Sequence, residues 1–278
     1  MKFHVFGFDG APNRLFALHG FMARGEAWES FAEELGADWQ VIAPDIAPAT
    51  QSEANFDAIC DDIAQRLYAL SPQLDEDEFW CRDTYCETYD YPPPPILLGY
   101  SMGGRIALEL LQRYPDVPIG ALVLESAGLG VVNDEEREVY RKRADEWARR
   151  FETQEVRDYV EWWENLPLFE TQKSLPEPVR KRQRAMRLSI EPEVLANLTL
   201  GIGAEHMHTA EENQKLLRSL PSLDLPVIYV AGEQDMKYGA IAHALDREEI
   251  CPVRMFNTGH NVHLEAPDAF TDFLRELP

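Results

Sequence analysis

Apolar positions in this chain gather into seven short runs, at residues 3–8, 15–18, 41–43, 96–99, 121–124, 227–231 and 253–256. Each is too short for a helix that must bury a face, and several are almost wholly apolar, as a strand covered on both sides must be. Between them the spacing changes. In 28–35, 56–70, 105–114, 238–245 and 267–277 the apolar residues recur every three or four positions, which predicts helices. Strand and helix alternate, so the pattern predicts an α/β fold with a mainly parallel central sheet flanked by helices on both faces.

The alternation breaks off at residue 133 and resumes near 205. The intervening stretch is helical in pattern, charged and rich in Trp, with Pro167, Pro176, Pro178 and Pro192 separating short helices. We read 1–132 and 205–278 as the core and 133–204 as an inserted helical cap. An insertion at the C-terminal edge of a parallel sheet lies over the ligand crevice, where it can supply binding groups and exclude water. A second irregular stretch, 74–95, carries Asp75, Glu76, Asp77, Glu78, Asp83, Glu87 and Asp90 and ends in four prolines, Pro92 to Pro95. It reads as an acidic surface excursion stiffened by polyproline.

Charge narrows the partners. The net charge is −23, which argues against nucleic acid or an anionic membrane as a partner. It is unevenly spread: residues 133–190 hold 13 Lys+Arg and 13 Asp+Glu, leaving 13 basic against 36 acidic residues elsewhere. Half the positive charge therefore sits in the predicted cap. Cys60, Cys81, Cys86 and Cys251 lack metal or redox spacing and are expected to be free thiols, with no metal or other cofactor implied. The opening residues resemble no targeting segment and no run approaches membrane-spanning length, so a cytoplasmic protein is expected.

The chemistry starts at Gly99-Tyr100-Ser101-Met102-Gly103, which follows the run 96–98 and opens a helix-like stretch. A serine on a strand-to-helix turn, flanked by small residues, is a nucleophile elbow. A serine hydroxyl needs a histidine to take its proton, and the histidine needs a carboxylate to fix its tautomer. Asp235 follows the run 227–231, and His260 follows 253–256. Ser, Asp, His, each just after a predicted strand, is the order of the α/β-hydrolase fold. Glu233 is the nearest rival for the acid. Backbone amides at Phe21, after His19-Gly20, and at Met102 are placed to form an oxyanion hole; His19 is read as a turn residue or a part of that site.

Several stretches resemble one family more narrowly: Gly99 to Arg105, Glu136-Arg137 through Trp147-Ala148, Trp163 to Phe169, Met186 to Ser189, Gly232 to Tyr238 and Gly259 to His263. Together they resemble 2-succinyl-6-hydroxy-2,4-cyclohexadiene-1-carboxylate synthase of menaquinone and phylloquinone biosynthesis, from about Leu18 to the C-terminus. The resemblance implies a lyase that eliminates pyruvate from 5-enolpyruvoyl-6-hydroxy-2-succinyl-cyclohex-3-ene-1-carboxylate, a small tricarboxylate, without consuming water. It implies that Ser101 and His260 abstract a proton while Asp235 orients His260. It also implies that Arg105, Arg137 and Arg187 bind carboxylates, with Tyr100 and Trp163 as pocket-wall and hydrogen-bonding groups. Arg141, Lys142, Arg143, Arg180 and Lys181 are read as a solvated face. The turn at 44–50 lacks the family's glycines. A serine esterase or C–C bond hydrolase would use the same triad without needing the arginines, and a retired hydrolase serving as a binding module would show a broken triad.

Overall fold

In a computed structural model the chain is described over residues 1–70 and 93–277. Most of the acidic stretch 74–95, with Cys81 and Cys86, lies outside those residues. Seven strands form one sheet in the order β1-β3-β2-β4-β5-β6-β7, comprising β1 (Lys2–Phe6), β2 (Asn13–Leu18), β3 (Trp39–Asp45), β4 (Ile96–Tyr100), β5 (Ala121–Glu125), β6 (Val227–Gly232) and β7 (Val253–Phe256). Every pairing is parallel except β1 with β3. β1 stops at Phe6, two residues short of the apolar run, because Gly7 turns the chain with φ 84°.

Period-two alternation divides the strands between two cores. Phe16, Leu18, Ile42, Leu97, Leu122 and Leu124 face one side. There they pack against α2 (Phe56–Leu70), α3 (Met102–Arg113) and α8 (Ala210–Ser219). Leu15, Ala17, Val41, Leu98, Ala121 and Val123 face the other. There they meet Trp28, α1 (Glu29–Leu35) and α11 (Pro267–Arg275). Because one strand serves both cores, its run is apolar throughout.

Between β5 and β6 the chain folds into α4 (Asp134–Thr153), α5 (Val156–Glu164), a 3-10 segment (Pro167–Ser174), α6 (Glu177–Leu188) and α7 (Pro192–Gly201). Asn133 caps α4 by accepting from the Glu136 amide at 2.8 Å, and the acids of the first turn suit the positive helix end. These helices bury their own apolar cluster, including Phe151, Tyr159, Trp163 and Phe169, against Met22. α9 (Met236–Arg247) and α10 (Val262–Glu265) complete the set. No helix among the described residues is long and apolar enough to cross a membrane.

Candidate active site

β4 runs directly into Ser101, which adopts φ 52° and ψ −104°. A serine rarely takes a left-handed φ, and such strain persists only when neighbours hold it. Here the Ser101 amide donates to the Glu125 carbonyl at 2.8 Å. α3 starts at the next residue, pressed so close to β2 that a β-carbon on Gly103 would overlap the Leu18 carbonyl. Only a bare backbone fits there.

Asp235 and His260 come from the turns after β6 and β7. An ionised carboxylate can only accept, so the His260 Nδ1–H donates to Asp235 Oδ2 at 2.7 Å. That leaves Nε2 with a lone pair facing Ser101 Oγ at 3.0 Å. Both His260 and Asp235 are buried, and Ser101 is partly exposed. Asp235 does two jobs: its other oxygen caps α9, accepting from the Lys237 and Tyr238 amides at 3.1 Å. Glu265 shapes the histidine loop, accepting from the amides on either side of His260, Gly259 at 2.7 Å and Asn261 at 3.3 Å. Glu233 is exposed, and its backbone amide donates to the Phe256 carbonyl at 2.8 Å.

The Met102 amide lies in the first turn of α3, where helical amides have no partner within the helix. Phe21 sits in the turn after β2, and among the described residues its amide makes no backbone hydrogen bond. His19 holds this turn. Its Nδ1–H donates to the Gly20 carbonyl at 2.8 Å, and its Nε2 accepts from the Ile46 amide at 3.0 Å. Burial pushes its pKa down to about 4, so the ring is a neutral strut.

Above Ser101 opens a cavity of about 660 Å³ between the sheet edge and the inserted helices. Tyr100, Trp163, Phe21 and Phe169 supply its aromatic wall, with the Trp163 ring 5.3 Å from Phe21 and 5.2 Å from Phe169. Burial raises the Tyr100 phenol well above its ordinary pKa, and Glu125 adds to the shift, keeping it a neutral hydroxyl. Arg105 and Arg187 line the cavity. Arg105 spends one N–H on the Ile202 carbonyl at 2.8 Å, and its pKa is lowered mainly by burial. Arg187 pairs with Glu164 at 3.0 Å and reaches Gln172 at 3.4 Å.

Arg137 does not line the cavity. Its guanidinium donates to the carbonyls of Glu205 and Met207, tying α4 to the chain beyond α7. The cavity-lining residues of α4 are Glu136, Tyr140, Arg143, Ala144 and Trp147, a stripe spaced by three and four that one helical face must present together. Arg137 is in register with Tyr140 and Ala144, three and seven residues on, but its guanidinium is taken up by the Glu205 and Met207 carbonyls. Arg143 had been expected on a solvated face; it is exposed, but at the cavity mouth, over the rings of Tyr140 at 4.2 Å and Trp147 at 5.4 Å. Arg141 and Lys142 pair with Glu138; Arg143 makes no ion pair among the described residues. Lys237 stands at the same mouth, 4.9 Å from the Tyr238 ring centre. No sequence motif singled out Arg143, although its spacing from Tyr140 and Trp147 carried the signal. No group of three or more His, Cys, Asp or Glu side chains among the described residues is placed to hold a metal ion.

The model of the alpha/beta hydrolase family matches residues 15–273. A Bacillus subtilis (strain 168) protein assigned as a 2-succinyl-6-hydroxy-2,4-cyclohexadiene-1-carboxylate synthase is 30% identical, covering 97% of this chain and 92% of that one. The synthase of that name from Enterobacter sp. (strain 638) is 29% identical over 98% of this chain and 93% of its own. Among solved structures, MenH from S. aureus superposes with a TM-score of 0.78 at 25% identity, covering 99% of this chain and 97% of that one. A thermophilic esterase from Thermogutta terrifontis shares the fold, with a TM-score of 0.68 at 23% identity over 99% of this chain and 91% of that one. The chain thus belongs to the alpha/beta hydrolase family, and within it to the 2-succinyl-6-hydroxy-2,4-cyclohexadiene-1-carboxylate synthases.

Proposed function

We propose that this enzyme eliminates pyruvate from 5-enolpyruvoyl-6-hydroxy-2-succinyl-cyclohex-3-ene-1-carboxylate, leaving 2-succinyl-6-hydroxy-2,4-cyclohexadiene-1-carboxylate, a step of menaquinone or phylloquinone synthesis. The observation that carries this reading is the convergence of cations on the cavity holding Ser101. In a chain of net charge −23, Arg105, Arg143 and Lys237 line that cavity without an ion-pair partner among the described residues, and Arg187 joins them. Burial and, to a lesser extent, Arg143 lower the Arg105 pKa, against the opposing pull of Tyr238 and of Glu205, an acid that also lines the cavity. Bringing like charges together is unfavourable unless an anion completes the site. A tricarboxylate does so, and guanidinium groups grip carboxylates with two parallel hydrogen bonds.

The Ser101–His260 unit takes the proton from the ring carbon beside the succinyl carbonyl. The electron pair moves through the ring double bond and expels enolpyruvate, which gains a proton and becomes pyruvate; no water is consumed. Asp235 stabilises the imidazolium that forms, and the Phe21 and Met102 amides stabilise the enolate-like oxygen. In this reading residues 133–204 act as a cap that closes the site, Arg143 replaces Arg137 as the carboxylate contact from α4, and the setting is cytoplasmic. Purified enzyme given the enolpyruvyl substrate should release pyruvate, read by a coupled lactate dehydrogenase assay, and Ser101→Ala should lower that rate by about 10³-fold or more. Brisk hydrolysis of aryl esters with no pyruvate would replace this reading with an esterase.

A further inference from the structure

Ser101 and His260 follow strands that are not neighbours. β5 and β6 lie between β4 and β7, and three strand spacings amount to roughly 14 Å. The histidine loop must therefore reach back across the sheet edge to bring Nε2 to 3.0 Å from Ser101 Oγ. Glu265 gives the loop its shape and Asp235 holds it from the β6 side, but neither ties it to the serine's side of the sheet.

Glu125 does. It ends β5, beside the serine's own strand, and is fully buried. Its carbonyl accepts from the Ser101 amide at 2.8 Å. Its carboxylate grips His263, three residues past His260, twice: Oε1 accepts from the backbone amide at 3.1 Å, and Oε2 from the ring Nδ1–H at 2.7 Å. The His263 ring is itself wedged, stacked on Trp28 at 4.1 Å and edge-on to Tyr100 at 5.1 Å. Tyr100 in turn leans on His260, with ring centres 5.4 Å apart. One residue thus bonds the serine through its backbone carbonyl and the histidine loop through its carboxylate, and a buried carboxylate costs too much to be retained unless its bonds are made.

We propose that Glu125 and His263 are positioning residues, a clamp that sets the separation of Ser101 Oγ and His260 Nε2. The clamp rests on Ser101 and His260 forming the reactive pair; it does not depend on which substrate they act upon. Two readouts keep those apart. The first is the rate at which a fluorophosphonate labels Ser101, which reports serine activation with no natural substrate present. The second is the division of pyruvate release between kcat and KM.

In folded enzyme, judged by circular dichroism, Glu125→Gln keeps the shape and one acceptor but loses the charge, and should slow labelling and kcat by about tenfold with KM within about twofold. Glu125→Ala should lose about 100-fold, so that Gln counts as a partial rescue, and His263→Gln should match Glu125→Gln. If Glu125→Ala does not fold, the two Gln variants decide the matter. Labelling within twofold of wild type in the folded Gln variants would overturn the clamp, leaving the pair only a packing role. A wild-type enzyme that is labelled rapidly but releases no pyruvate would refute the proposed reaction and leave the clamp standing.

Discussion

Replacing Asp235 by Asn changes one atom and almost no volume, yet the geometry predicts a severe loss. The carboxylate uses one oxygen to cap α9 and the other to hold His260 Nδ1. An amide has a single oxygen. Left at the cap, it satisfies the Lys237 and Tyr238 amides and turns its NH₂ toward Nδ1, which must then accept. The ring proton is driven to Nε2, where it faces Ser101 Oγ as a donor and cannot take a proton. Flipping the amide restores the tautomer but breaks the cap, at about 1–2 kcal/mol. In either orientation the charge-assisted bond to the developing imidazolium is lost, worth about 1.5–3 kcal/mol. The total is about 3–5 kcal/mol, a fall of roughly 10²- to 10⁴-fold in kcat. Pyruvate release measured against protein with an unchanged melting temperature tests this. A folded variant retaining more than a tenth of wild-type kcat would refute the two-job account of Asp235.

The arginines separate by position. Arg105→Ala and Arg187→Ala should each lower kcat/KM by about 2–5 kcal/mol, and Arg143→Ala, at the exposed mouth, by about 1–2 kcal/mol. Arg137→Ala should instead lower the melting temperature while folded enzyme keeps kcat/KM within about fivefold, since it holds backbone carbonyls; a large kinetic loss without destabilisation would contradict its placement. His19 refuses a proton in the folded state until about pH 4, whereas the unfolded chain binds one near its ordinary value of 6.5. Stability is therefore full above pH 6.5 and falls as pH drops toward 4, by about 3 kcal/mol at ~1.4 kcal/mol per pH unit. Chemical denaturation across that range should show the slope in wild type and lose it in His19→Gln. Burial raises the Cys60 and Cys251 thiols, the latter to about 11, so neither should react with a maleimide at pH 7 until the protein is denatured. Peptide mapping of native and denatured samples checks this.

Local pattern carried much of the site. The run 96–99 followed by small residues around Ser101 had to be a strand meeting a helix, and the order of Asp235 and His260 after later strands followed from the same reading. Element ends were less legible. α3 starts at Met102, not Arg105, because the elbow itself initiates it, and residues 25–28 form a 3-10 turn before α1. Arg137 and Arg143 look alike in sequence, two basic residues on one charged helix. Both lie three residues from Tyr140, and which one reaches the cavity depends on the Glu205 and Met207 carbonyls, from a distant segment, that take the Arg137 guanidinium.

The sequence by itself determined the α/β alternation, the elbow, the Ser-Asp-His order and the gathering of half the positive charge in the insertion, because strand burial, turn geometry and charge are properties of neighbouring residues. Only the tertiary structure decided that Glu125 meets His263 across 138 positions, that Asp235 both caps a helix and orients a histidine, and that Arg143 stands where Arg137 was expected. Those contacts join segments whose separation along the chain carries no local signal, and packing alone brings them within reach.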